Sequence, residues 1–155
     1  MAFLNTTSTL DWVKYLVEVE ELPVAASSKG GEEQTVMFQK FKMPWPVKNR
    51  EVVVQRSVRL DKRSKKMVAT LQSTEHPARP IHGAAVRAIV IKTSWVLTSL
   101  GGSKTAVDFE IITDPKGSLP TALVGMMQMS FPRETVMGFI SSARGYKVHP
   151  AMTKW

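Results

Sequence analysis

Thr105-Ala106-Val107-Asp108-Phe109-Glu110-Ile111-Ile112-Thr113 is followed by Asp114-Pro115-Lys116-Gly117-Ser118-Leu119-Pro120, and the period of the apolar residues changes across that junction. Before it, Val107, Phe109 and Ile111 alternate with Asp108 and Glu110, the two-residue repeat of a half-buried strand. After it, Leu119, Leu123, Met126, Met127 and Phe131 recur at helical spacing. Ser118 is placed to cap that helix. Pro120 falls in its first turn, where a missing N–H costs little because first-turn N–H groups have no intrahelical carbonyl to pair with. Pro132 is expected to kink or interrupt the helix, and a second apolar set follows at Val136, Met137 and Ile140.

Everything upstream reads as strands separated by turn signals. Lys14 to Leu22 alternates; Ala25 to Glu33 is a Ser/Gly/Glu loop; Thr35 to Met43 is a strand ended by Pro44-Trp45-Pro46, which cannot continue a hydrogen-bond ladder. Glu51 to Leu60 and Met67 to Gln72 form a hairpin around a basic turn. Val86 to Ile91 and Trp95 to Leu100 are predicted as two further strands, and Gly101-Gly102-Ser103 turns the chain into the quoted run. The fold class is therefore α+β, a mostly antiparallel meander closed by one long helix. With no internal repeat and no linker, residues 1–155 are read as one domain, with a core over about 10–143 and an aperiodic tail over 144–155.

Composition removes several chemistries. The 155-residue chain has no cysteine, so disulfides, thiol nucleophiles and thiolate metal sites are all excluded. His76, His82 and His149 are too scattered to suggest a metal set, and no cofactor is expected. No apolar run approaches the roughly 20 residues of a membrane helix. The first ten residues lack a signal-peptide pattern. A cytoplasmic protein, peripheral to membranes, is expected. The net charge of +8 is concentrated between Lys40 and Lys66, where ten basic residues face only Glu51 and Asp61. Its densest part, Lys62, Arg63, Lys65 and Lys66, is a candidate for docking on an anionic membrane surface.

Strand parity singles out one residue in this segment. Val52, Val54, Arg56, Val58 and Leu60 share a face, so Arg56 points to the apolar side. A guanidinium there needs a carboxylate, a hydroxyl or water, because an unpaired buried charge is very costly. Nothing comparable suggests catalysis. Asp108 and Glu110 sit on the polar face of their strand, and no nucleophile–His–acid set is visible.

Four short motifs, in order and at consistent spacing, resemble the START (steroidogenic-acute-regulatory-related lipid-transfer) domain of the helix-grip superfamily. They are Trp45-Pro46 with Asn49-Arg50-Glu51; Ser73-Thr74-Glu75-His76-Pro77 with Gly83 and Val86-Arg87-Ala88; Ser94-Trp95; and Asp114-Pro115-Lys116-Gly117-Ser118-Leu119-Pro120. The resemblance covers roughly Leu10 to Ala143 and implies a curved antiparallel sheet with its last helix packed across the concave face. It implies non-catalytic binding and intermembrane transfer or sensing of one lipid, a sterol, phospholipid or related molecule, in an internal apolar cavity. The lining expected from it and from strand and helix parity is Arg56, Met37, Val54, Val58, Phe109, Leu123, Met126, Met127 and Phe131. Met37 falls near the position of the acidic partner that sterol-binding members carry. The loop containing His76, Pro77 and Ile81 is expected to face the last helix as a lid. START domains are usually longer at the N-terminus than this chain, so an exposed sheet edge, and with it a homodimer or strand exchange, is expected. The alternatives are a helix-grip cyclase or hydrolase, or a basic protein- or nucleic-acid-binding module; nucleic acid is not the expected partner, since aromatics are not interleaved with the charge.

Overall fold

The computed structural model describes residues 7–23, 32–102 and 104–143; the 144–155 tail and most of the 25–33 loop lie outside them. A short 3-10 helix, Thr7–Asp11, precedes strands β1 (Leu16–Leu22), β2 (Glu32–Phe41), β3 (Arg50–Asp61), β4 (Lys66–Ser73), β5 (Val86–Arg87), β6 (Ile89–Gly101) and β7 (Lys104–Asp114). One helix, α1 (Thr121–Ala143), follows. The sheet order is β1-β2-β3-β4-β6-β7, antiparallel throughout, with the two-residue β5 pairing parallel to the start of β3.

The expected pair of strands between Val86 and Leu100 is corrected by the structure. Val86–Arg87 is a separate fragment on β3, and residues 89–101 are one continuous strand. Lys92-Thr93-Ser94 looked like an interruption because it is polar. In the fold Lys92 forms an ion pair with Glu110 across the ladder, Thr93 turns inward, and the irregularity is a bulge between Val90 and Lys92. The helix runs as one element through Pro132, which does not interrupt it. It starts after Pro120, whose carbonyl accepts from the N–H groups of Leu123 and Val124.

The pleat sorts side chains onto two faces. Leu22, Val36, Phe38 and Val53 cluster on the convex side. The concave side carries two clusters that differ in bulk. Toward the end of β3, Trp12, Val58, Met67, Ala69, Trp95 and Phe139 form a solid core. Three of its rings stack edge-on or tilted, with Trp12 5.6 Å from Trp95 and 5.4 Å from Phe139. Toward the start of β3 the cluster is Met37, Val52, Val54, Ala88 and Val90. Those side chains are mostly short. The C-terminal half of α1 is therefore packed directly, while its N-terminal half is held off the sheet.

Candidate functional site

The gap left by the short side chains is a cavity of about 470 Å³ between the concave face and α1. Its wall is chiefly apolar: Val52, Val54, Val90, Phe109, Met127 and Phe131 are representative. Among the sequence-predicted residues, Arg56, Met37, Val54, Phe109, Met126, Met127 and Phe131 all line it. Val58 and Leu123 do not; Val58 belongs to the solid tryptophan cluster, and Leu123, though buried, is not part of the lining.

Arg56 is 5% exposed and lies on the cavity wall. Its Nη2 donates to Thr35 Oγ1 at 3.1 Å, because the β2–β3 register sets Thr35 directly opposite. Met37, two positions along, pairs with Val54. Desolvation pushes the guanidinium below its ordinary value, and the carboxylates of Glu33 and Glu21 act in the opposite sense. The other charged groups on the wall are Lys42 and Arg50, so the described lining carries three cations and no carboxylate. Gln39 and Thr93 add buried polar groups that sequence reading did not single out. Parity on their strands places both facing in, and that signal was present.

The Asn49-Arg50-Glu51 motif builds the frame at this end of the sheet. Asn49 Oδ1 accepts from the Met43 N–H at 3.0 Å and ties off the 42–49 loop. Arg50, 4% exposed, donates to the carbonyls of Pro115 (3.1 Å), Lys48 (2.6 Å) and Lys116 (2.8 Å), stapling β3 to the turn that starts α1. That turn needs Gly117, at φ 67°, whose missing Cβ faces Arg50 Nη2 and Val86. Glu51 pairs with Arg87 at 2.9 Å and so holds β5 in place. Tyr15, held at φ 63°, also lines the cavity, and its hydroxyl lies 3.5 Å from Met126 Sδ. No sequence signal marks it.

The loop expected to act as a lid is elsewhere. Its Arg79 sits 4.0 Å over the Phe38 ring and forms ion pairs with Glu18 and Glu20, while His76 Nε2 lies 2.8 Å from the Pro23 carbonyl. Phe38 is on the convex face, so this stretch packs behind the sheet. Pro77 and Ile81 are exposed, and none of residues 74–85 lines the cavity. The loop that does border it is 42–49: Lys42 and Pro44 are both exposed and part of the wall, which marks that end as the mouth. Trp45 projects from the same loop, 93% exposed. The basic residues Lys62, Arg63, Lys65 and Lys66 are exposed in the β3–β4 turn, at the far end of β3 from this mouth.

Three comparisons bear on the identity of this architecture. The START domain family profile matches residues 5–130. An uncharacterized protein of Pseudomonas aeruginosa, PA1579, is 28% identical over 106 residues, covering 68% of this chain and 52% of that protein. Mouse START domain-containing protein 10 is 33% identical over 89 residues, covering 57% of this chain and 30% of its own. The chain thus spans about half or less of the curated relatives it matches. Human STARD10 superposes with a TM-score of 0.79 at 22% identity, over 94% of this chain and 56% of that one. Human StAR-related lipid transfer protein 5 gives 0.73 at 15% identity, over 87% and 63%. These structures share the fold.

Proposed function

The chain belongs to the START domain family, and on that premise we propose that it binds one lipid molecule in the cavity under α1 and exchanges it with membranes by binding and release. The observation that carries this reading is the cavity itself: an apolar hollow of about 470 Å³ with two buried guanidiniums on its wall, Arg50 committed to three backbone carbonyls and Arg56 held by the Thr35 hydroxyl. That combination of apolar lining and few convergent polar groups suits an amphiphile of ordinary ligand size. At about 30 Å³ for a water-sized group, the space holds roughly sixteen such groups, about one acyl chain.

In this reading the polar end of the lipid, a hydroxyl, phosphate or carboxylate, meets Arg56, with Thr35 orienting the guanidinium. The apolar part lies against Val54, Phe109 and the flexible thioethers of Met126 and Met127. No acid–base step is invoked, and the lining carries neither histidine nor carboxylate among the described residues. Exchange takes place at the mouth. Residues 119–132 of the helix start carry no charge, Met129 is 78% exposed, and Trp45 stands exposed on the 42–49 loop that borders the cavity. An indole is well suited to the membrane–water interface.

A transfer assay between two vesicle populations, using a fluorescent lipid, tests the proposal. Catalysed transfer that falls when Trp45→Ala or Met129→Ser is introduced is the expected result. Transfer no faster than the protein-free rate, with no lipid extracted from the purified protein, would overturn it.

A further inference from the structure

Two hairpins meet at the end of the sheet remote from the cavity mouth. The β3–β4 turn carries Lys62, Arg63, Lys65 and Lys66, all exposed. The β6–β7 turn brings Lys104 beside them, since Lys66 pairs with Thr98 and the Ser99 N–H donates to the Lys65 carbonyl at 3.0 Å. Among the described residues the two turns therefore carry five cations and one carboxylate, Asp61, with Glu32 and Glu33 on the neighbouring start of β2. The Asp61 oxygens are engaged within the turn by Ser64 Oγ (2.6 Å) and by the N–H groups of Arg63 (2.9 Å) and Ser64 (3.2 Å). Leu100 projects from the same edge, 64% exposed. The 12-residue strand β3 separates this end from the mouth by roughly 36–40 Å along the chain.

We propose that this basic end is a second membrane contact, one that docks on an anionic bilayer while the cavity mouth faces away. Like charges crowded on two adjacent hairpins create a field that an anionic surface relieves. The exposed leucine at the same tip supplies a short apolar anchor of the kind a headgroup layer accepts. Single-stranded nucleic acid is the poorer match, because it calls for aromatic platforms among the cations and this end presents an aliphatic side chain instead. The two ends differ in chemistry: cations crowd the far end, whereas the mouth sets the exposed Trp45 beside Lys42 and Lys48 of the same loop. A molecule so built holds one membrane at its base and exchanges lipid with another at its mouth. This contact goes beyond the lipid-binding reading and does not depend on it.

Vesicle co-sedimentation of the full chain tests the inference, with phosphatidylcholine vesicles containing or lacking phosphatidylserine. The triple variant Lys62→Gln, Arg63→Gln, Lys66→Gln leaves Asp61, Ser64 and the left-handed Lys65 (φ 51°) untouched, so the turn is preserved. Each cation lost should weaken partitioning about five-fold, and the three together about a hundred-fold. Raising the salt should have a similar effect on the wild type. Trp45→Ala should still sediment with phosphatidylserine vesicles but should fail to bridge them to neutral ones, as read by light scattering. Equal sedimentation of the triple variant and wild type would overturn the inference. So would loss of anionic binding in Trp45→Ala alone, or displacement from vesicles by a single-stranded oligonucleotide. Bound lipid, measured on the same samples, should be unchanged by the triple substitution. Vesicle binding without any retained lipid would count against the cavity reading alone.

Discussion

Arg50 and Arg56 lie six residues apart on the same face of one strand and are equally buried, yet they do different work. Arg50 donates three hydrogen bonds to backbone carbonyls and holds the turn that starts α1. Arg50→Ala is expected to lower stability by about 3 kcal/mol, read by urea unfolding, because it leaves carbonyls unpaired in a half-buried turn. Arg56 faces the cavity, and Arg56→Met should change stability by less than about 1.5 kcal/mol, since an apolar side chain of similar length replaces a desolvated charge. The same substitution should weaken lipid binding about ten-fold or more, read by competition with a fluorescent lipid. Two turn aspartates should titrate low. Ser64 holds Asp61, and Lys116 holds Asp114, below the ordinary 3.8 by hydrogen bonds to the ionised form. A depressed folded value means that the turns gain from ionisation above 3.8 and lose it as pH falls through the folded value. Carboxyl carbon titrations by NMR should therefore give midpoints below 3.8 for both. At this scale the inward aim of Arg56 was legible from alternation alone. Its partner was not: Thr35 is set by the β2–β3 register, which a single sequence does not specify, and the acidic-partner position inferred by resemblance fell on Met37.

Among the elements, α1 carries two glycines with opposite expected behaviour. A Cβ at Gly138 would lie 2.5 Å from the Trp12 carbonyl oxygen, a backbone atom that cannot swing aside. Gly138→Ala should cost about 1–3 kcal/mol by forcing the helix off the tryptophan cluster. A Cβ at Gly125 meets nothing within 4 Å, so Gly125→Ala should stabilise by up to about 1 kcal/mol through helix propensity. Thermal unfolding of the pair checks both signs. The existence and order of the long strands and the helix were legible because period 2 and period 3.6 differ plainly on either side of Asp114. The details were lost where polar residues had structural partners: Lys92 to Ser94 read as a break but form a bulged strand, and the 74–83 loop read as a lid but packs against Phe38 through Arg79. Both depend on cross-sheet contacts that local pattern does not encode.

The whole molecule is asymmetric along β3. Large rings fill one half of the space beneath α1, and valines and alanines leave the other half open; the mouth mixes Trp45 with Lys42 and Lys48, and the far end is densely basic. Composition announced the basic segment, but its distance from the mouth emerged only when the strands were laid side by side. The central claim is that the open half holds one lipid. Native mass spectrometry of the full chain after incubation with mixed lipid vesicles tests it most directly. The account predicts a single adduct of one lipid mass, saturating at one per chain and strongly reduced in Arg56→Met. Only unliganded protein under lipid excess, or a ladder of several adducts indifferent to Arg56, would contradict it.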